Sequence, residues 1–122
     1  MNWYVTGALL SGVGVAIGAF GAHGIQERVS EDLLATFETG ARYHMYHALA
    51  LLAVGSLKAR SPLAILDAAG IAFVIGIVLF SGSLYTMTLT GARWLGAITP
   101  LGGLAFLVGW GLLARGAHRS LP

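Results

Sequence analysis

The 122-residue chain is 57% hydrophobic and only 10% charged; a soluble domain carries about 25% charged residues, so the composition excludes an ordinary water-soluble fold. A net charge of +2 without any run of Lys or Arg excludes a nucleic-acid surface. The absence of cysteine excludes disulfides, thiol redox chemistry and thiolate metal sites. What remains is an integral membrane protein with the lipid bilayer as its surroundings. It is read as a single all-α domain over residues 1–122, because the connections between its apolar stretches are too short to hold a second one.

Four apolar stretches, at about residues 3–22, 43–57, 68–90 and 94–114, predict a four-helix transmembrane bundle. A helix needs about 20 residues to cross about 30 Å of hydrocarbon, and no segment alternates in the manner of a barrel strand. The first stretch lacks a basic segment before it and is long for a signal peptide, so it is read as a retained helix. Within it Gly7, Ser11, Gly14, Gly18 and Gly21 recur at spacings of 4, 3, 4 and 3. Small residues let helix backbones approach closely in lipid, so this helix is expected to touch protein on most of its circumference. Tight packing within one bundle and a seam between copies in a homo-oligomer are both compatible with that stripe.

A polar connection from His23 to Arg42 follows. Ser30 suits an N-cap, Glu31 and Asp32 suit the positive end of a helix, and Leu33, Leu34 and Phe37 make an apolar face. The pattern predicts an amphipathic, interfacial helix from about Glu31 that runs on past Gly40 into the second span. Ser61 and Pro62 read as N-cap and first residue of the third helix, with Asp67 near Lys58 and Arg60 in an ion pair at headgroup level. Gly91–Arg93 reads as a tight turn, and Trp3, Tyr4, Trp94 and Trp110 as interfacial anchors. In helix four Pro100 is expected to kink the helix and free the carbonyl of Gly96, while Gly102 and Gly109 are assigned to packing.

Antiparallel threading brings the polar residues of the spans to one side: His23, Tyr43, His47, Ser81, Ser83, Tyr85 and Thr99 form a candidate cluster in one leaflet, with His44 expected to point away from it and snorkel. His47 is the centre of this cluster, because an ionisable residue inside a span is costly and turns toward the bundle interior and a partner. His23, Ser81 and Tyr85 are its expected partners. Two roles are open for it, a structural hydrogen bond between helices and a contact to a ligand, metal or proton. No metal site is predicted, since no carboxylate in the spans completes a ligand set with the histidines. No cofactor is predicted either; haem held by His23 and His47, or a quinone, are the alternatives weighed. No Walker loop, HExxH or Ser/His/Asp arrangement occurs, so no catalytic residue is assigned and the chain is not read as an enzyme.

The blocks Gly18–His23, Tyr43–Leu49, Phe80–Tyr85 and Thr99–Trp110 occur in this order along the chain. They resemble those of domain-of-unknown-function family 423, also called uncharacterised protein family 0382, which holds the YgdD-like and YwdK-like inner-membrane proteins and is related to transmembrane protein 256. The resemblance implies a multi-pass, four-helix protein of the bacterial inner (plasma) membrane and transfers no biochemical activity. Members of that family often carry Gln where this chain has His44, which weighs against a two-histidine metal site. Lys58, Arg60, Arg115 and Arg119 on one side, against Arg28, Arg42 and Arg93 on the other, predict cytoplasmic termini by the positive-inside rule. The function expected from the sequence is a structural, assembly or accessory component of the membrane. Its alternative is binding or transport of a small molecule, lipid headgroup, quinone, ion or proton at the cluster around His47.

Overall fold

A computed structural model describes residues 2–122, with the backbone alone described for Ala22. It is all-helical, and among the described residues there is no strand. Helix α1 (Trp3–Phe20) runs on through a π turn at Gly21–Ile25. Helix α2 (Glu31–Arg60) is the longest element at 30 residues. Helix α3 (Ala64–Gly76), a π turn (Ile77–Ser81) and helix α4 (Gly82–Thr90) form one continuous rod. A 3-10 turn (Arg93–Ala97) then leads into helix α5 (Thr99–Ser120). Three of the four rods, Trp3–Ile25, Ala64–Thr90 and Arg93–Ser120, are long and apolar enough to cross a membrane. The fourth rod, α2, falls outside that set because its uncharged stretch between Arg42 and Lys58 is only fifteen residues long and holds Tyr43, His44, Tyr46 and His47.

Local chemistry explains the helix boundaries. Ser30 caps α2 as expected, its hydroxyl accepting from the amide of Leu33 at 3.2 Å. The start of the third rod differs from expectation. A residue before proline is pushed to extended backbone, so Ser61, at φ −142°, terminates α2 instead of starting the next helix, and α3 begins at Ala64. Gly91 sits at φ +72°, the left-handed conformation that glycine adopts without strain, and its amide closes α4 on the carbonyl of Met87 at 2.7 Å. Pro100 does not kink a helix: it stands in the first turn of α5, where the missing amide has no partner to lose.

Two antiparallel hairpins share one packing device. On α1 and the π turn that continues it, Gly7, Gly14 and Gly21 lie seven residues apart and face Leu51, His44 and Phe37 of α2, themselves seven apart. On α5, Gly102, Gly109 and Gly116 face Phe80, Phe73 and Leu66 of the third rod in the same spacing, and between them Phe106 fills the space over Gly76. At Gly102 the approach is backbone to backbone: a Cβ there would lie 2.7 Å from the Cα of Phe80. Gly55 of α2 likewise meets the amide of Tyr4. Close approach of this kind is what holds helices together where lipid offers no hydrophobic drive.

The centre of the fold is α2, which packs against every other rod, and not α1. Only one face of α1 meets protein. Leu9, Val13 and Val15 are exposed, and a Cβ at Gly12 or Gly18 would touch nothing. The glycine stripe therefore divides: its Gly7, Gly14, Gly21 row is used, Gly18 is open, and Ser11 is half-buried beside it. Trp3 also departs from its expected place at the lipid interface, since it is 2% exposed and lies across Gly70 of α3.

These contacts predict opposite outcomes for two alanines on α5. Gly102→Ala places a methyl against the backbone of Phe80, which cannot rotate away, and is expected to lose about 1–3 kcal/mol. Gly111→Ala, with open space around it, is expected to match or exceed the wild type, since alanine favours the helix. Unfolding of the two variants in mixed detergent micelles checks the pair.

Candidate functional site

Central placement of α2 puts His44 and His47 on one face of the helix, and both are buried, at 3% and 4% exposure. The expectation that His44 snorkels fails for this reason. Residues three apart share a helix face, so the interior side that takes His47 also takes His44, and Tyr46, Leu49 and Ala53 form the exposed strip instead.

His44 bridges α1 and α4. Its Nε2 is 2.8 Å from the carbonyl of Leu10 and its Nδ1 is 2.8 Å from the hydroxyl of Tyr85. A carbonyl has no hydrogen to give, so Nε2 carries the proton, Nδ1 accepts and the Tyr85 hydroxyl donates. Gly14 makes this bridge feasible. A Cβ there would lie 3.4 Å from His44 Nε2, and its absence leaves the Leu10 carbonyl open to the ring.

His47 has the opposite tautomer. Its Nδ1 donates to the carbonyl of Tyr43 one turn back, at 2.6 Å, and its Nε2 accepts from the indole N–H of Trp110 on α5, at 3.0 Å. An indole nitrogen only donates, so Nε2 is unprotonated. The ring stacks flat on Phe106, with centroids 3.5 Å apart and planes 6° from parallel, and Phe73 closes another side. His47 lies eleven residues before Lys58, about 16 Å along the helix at 1.5 Å per residue. That is about half of a 30 Å hydrocarbon core.

The remaining polar residues are distributed among separate contacts. Ser81, fully buried in the π turn, donates to the carbonyl of Gly40 at 2.7 Å. Ser83 donates to the carbonyl of Phe80 at 2.8 Å and so accepts from Thr99 at 2.7 Å, joining the third rod to α5. Tyr43 is 39% exposed and leans on Phe80 and Phe106. His23 is exposed on the π turn after α1 and takes no part in the hydrogen bonds of His47. Ser81 and Tyr85 do reach α2, but through Gly40 and His44 instead of His47. Among the described residues no three His, Cys, Asp or Glu side chains gather as a metal site.

A further tier lies at the opposite end. Asp67 of α3 accepts from the Trp3 indole of α1 at 2.8 Å and is ion-paired with Lys58 of α2. One carboxylate thus ties three helices together, while Arg60 takes no part. Polar contacts therefore recur along the rods, from this end through the two histidines to the Arg93–Asp32 pair, at 2.7 Å, at the other end. Sequence reasoning missed Trp110 as the partner of His47, and the Leu10 and Tyr43 carbonyls as acceptors. A backbone acceptor has no residue-type signal, although Gly14, four residues after Leu10, is the feature that exposes one.

Apolar helices of spanning length, tied by buried side-chain hydrogen bonds, define a helical membrane protein. The chain belongs to the family described as protein of unknown function DUF423, whose model matches residues 17–103. It is similar to the UPF0382 membrane protein YwdK of Bacillus subtilis, 43% identical over 96% of each chain. A UPF0382 membrane protein of Haemophilus influenzae is 41% identical over 98% of this chain and 96% of its own. The UPF0382 membrane protein SSP2132 of Staphylococcus saprophyticus is 43% identical over 94% and 95%. No solved structure matches the chain. The matched span holds both buried histidines and Tyr85, while Leu10 and Trp110 lie outside it.

Proposed function

We propose that the chain is a four-span protein of the bacterial inner membrane with a structural, assembly or accessory role, and that its buried polar residues act as locks between helices. One observation carries this reading: both nitrogens of both buried histidines are committed to partners inside the fold. A ring whose donor and acceptor are both taken presents nothing to a ligand. The cavity at the His23 end, about 270 Å3, is bordered by Gly18, Gly21, Phe37 and Glu38 and by neither histidine. For α2 the crossing rests on its fifteen uncharged residues from Tyr43 to Leu57 and on its position among the three apolar rods.

A lock and a ligand site respond differently to removal of a whole polar pair. Truncating one partner leaves a buried group unsatisfied, whereas replacing both with apolar groups of similar shape is nearly neutral. Tyr85→Phe and His44→Leu are each expected to cost about 1 kcal/mol, in the range of membrane hydrogen bonds, and the double variant less than their sum. The double variant is also expected to complement a deletion strain. A folded double variant that fails to complement would replace the lock reading with binding or transport at the histidines.

Orientation follows from the Lys/Arg distribution, which favours cytoplasmic termini. Because the chain has no cysteine, single cysteines report without background. An impermeant maleimide added to intact spheroplasts is expected to label Arg93→Cys and to leave Ser120→Cys unlabelled until the membrane is opened. The reverse pattern would invert the protein.

A further inference from the structure

The two ends of the molecule differ in charge. Side chains at the end that holds Trp3 and Asp67 include four cations, Lys58, Arg60, Arg115 and Arg119, against the single carboxylate of Asp67. The other end sets Arg28, Arg42 and Arg93 against Glu27, Glu31, Asp32 and Glu38. At the cationic end Asp67 is already held by Lys58 and Trp3. Arg60 is in neither of the ion pairs found among the described residues.

Arg60 also stands at the mouth of an open groove of about 410 Å3 between α2 and α5. Ala53, Leu57 and Arg60 form one wall and Leu113, Ala117 and Leu121 the other. The groove exists because α5 packs on α3 through Gly109 and Gly116, which draws it away from the last two turns of α2. Apart from Arg60 and Ser56 its lining is apolar. Arg60 is the last residue of α2, at the level of the Lys58–Asp67 pair, and Ala53 lies about 10 Å deeper along the same helix. A cation at headgroup level above an apolar channel running into the hydrocarbon matches a phosphate and the upper part of one acyl chain. Basic pockets between membrane helices recognise anionic lipid headgroups in this way.

We infer that this groove binds an anionic phospholipid of the surrounding leaflet, its phosphate on Arg60 and one acyl chain between α2 and α5. The site is separate from the histidine locks and does not depend on their role. A neutral zwitterionic lipid fits the channel equally well, so the headgroup charge read by Arg60 supplies the preference.

The test uses the full chain in detergent micelles, given equal amounts of phosphatidylglycerol and phosphatidylcholine with the same acyl chains, and counts retained lipid by native mass spectrometry. Wild type is expected to retain the glycerol lipid about five-fold more, the contribution of one cationic side chain at an anionic surface. Arg60→Gln should bring the ratio close to one, Ala117→Phe should reduce both lipids by filling the channel, and Arg28→Gln at the other end should leave the ratio intact. Arg60 is exposed, so its variant reads the preference whether or not Ala117→Phe folds. Equal retention by wild type, or a preference that survives Arg60→Gln, would overturn the proposal. So would an equal loss with Arg28→Gln, which would mean diffuse charge attraction. Displacement of the glycerol lipid by inorganic phosphate alone would reduce the site to an anion contact and would also overturn it.

Discussion

Close approach of helix backbones is the constraint on which the rest of this structure depends. Association in lipid relies on van der Waals contact and interhelical hydrogen bonds, and both require short distances between helix axes. Two glycine rows provide them. Gly7, Gly14 and Gly21 bring α1 onto α2, and Gly102, Gly109 and Gly116 bring α5 onto the third rod. The large residues opposite, Leu51, His44, Phe37, Phe80, Phe73 and Leu66, then pack into helix surfaces instead of standing between them. Each hairpin is a row of large side chains set against a row with none.

The polar contacts follow from that approach. The Leu10 carbonyl is within reach of His44 because Gly14 has no side chain, and Ser81 reaches the carbonyl of Gly40 for the same reason. Several interhelical bonds end on backbone carbonyls that already serve their own helices. A carbonyl has two lone pairs, so it accepts a second hydrogen without losing the first. Each histidine consequently has a fixed tautomer. His44 donates from Nε2 to a carbonyl and His47 from Nδ1 to another, and their remaining nitrogens accept from Tyr85 and Trp110. Protonating Nε2 of His47 would set it against the indole N–H of Trp110, which only donates, so that contact depends on the His47 ring keeping Nε2 free.

The helical class, the three most apolar rods, the Ser30 cap and the Gly91 turn were legible in residue type and hydropathy, because each is set by local chemistry. The Lys58–Asp67 pair was legible for the same reason, being nine residues apart across one connector. The blocks of residues also pointed to the family that the relatives show. What the sequence did not disclose was which helix lies in the middle. The small-residue stripe of α1 marks a close contact but not how many neighbours it serves, and α2 was hidden by its polar first turns. With the centre misplaced, His47 was given Ser81, Tyr85 and His23 as partners, and His44 was turned outward although, three residues away, it shares a helix face with His47. Pro100 was misread for a local reason: a 3-10 turn at Arg93–Ala97 takes up the start of helix four, so proline opens α5 instead of interrupting it.

Nitrogen-15 NMR of histidine-labelled protein in lipid nanodiscs measures the fixed tautomers directly, with His44→Gln and His47→Gln variants assigning the signals. The structure predicts rings of opposite type, with a proton on Nε2 at His44 and on Nδ1 at His47, and an unprotonated Nε2 at His47 facing Trp110. Finding both in the same tautomer, or His47 as imidazolium, would contradict the pairing of these residues and with it the central position of α2.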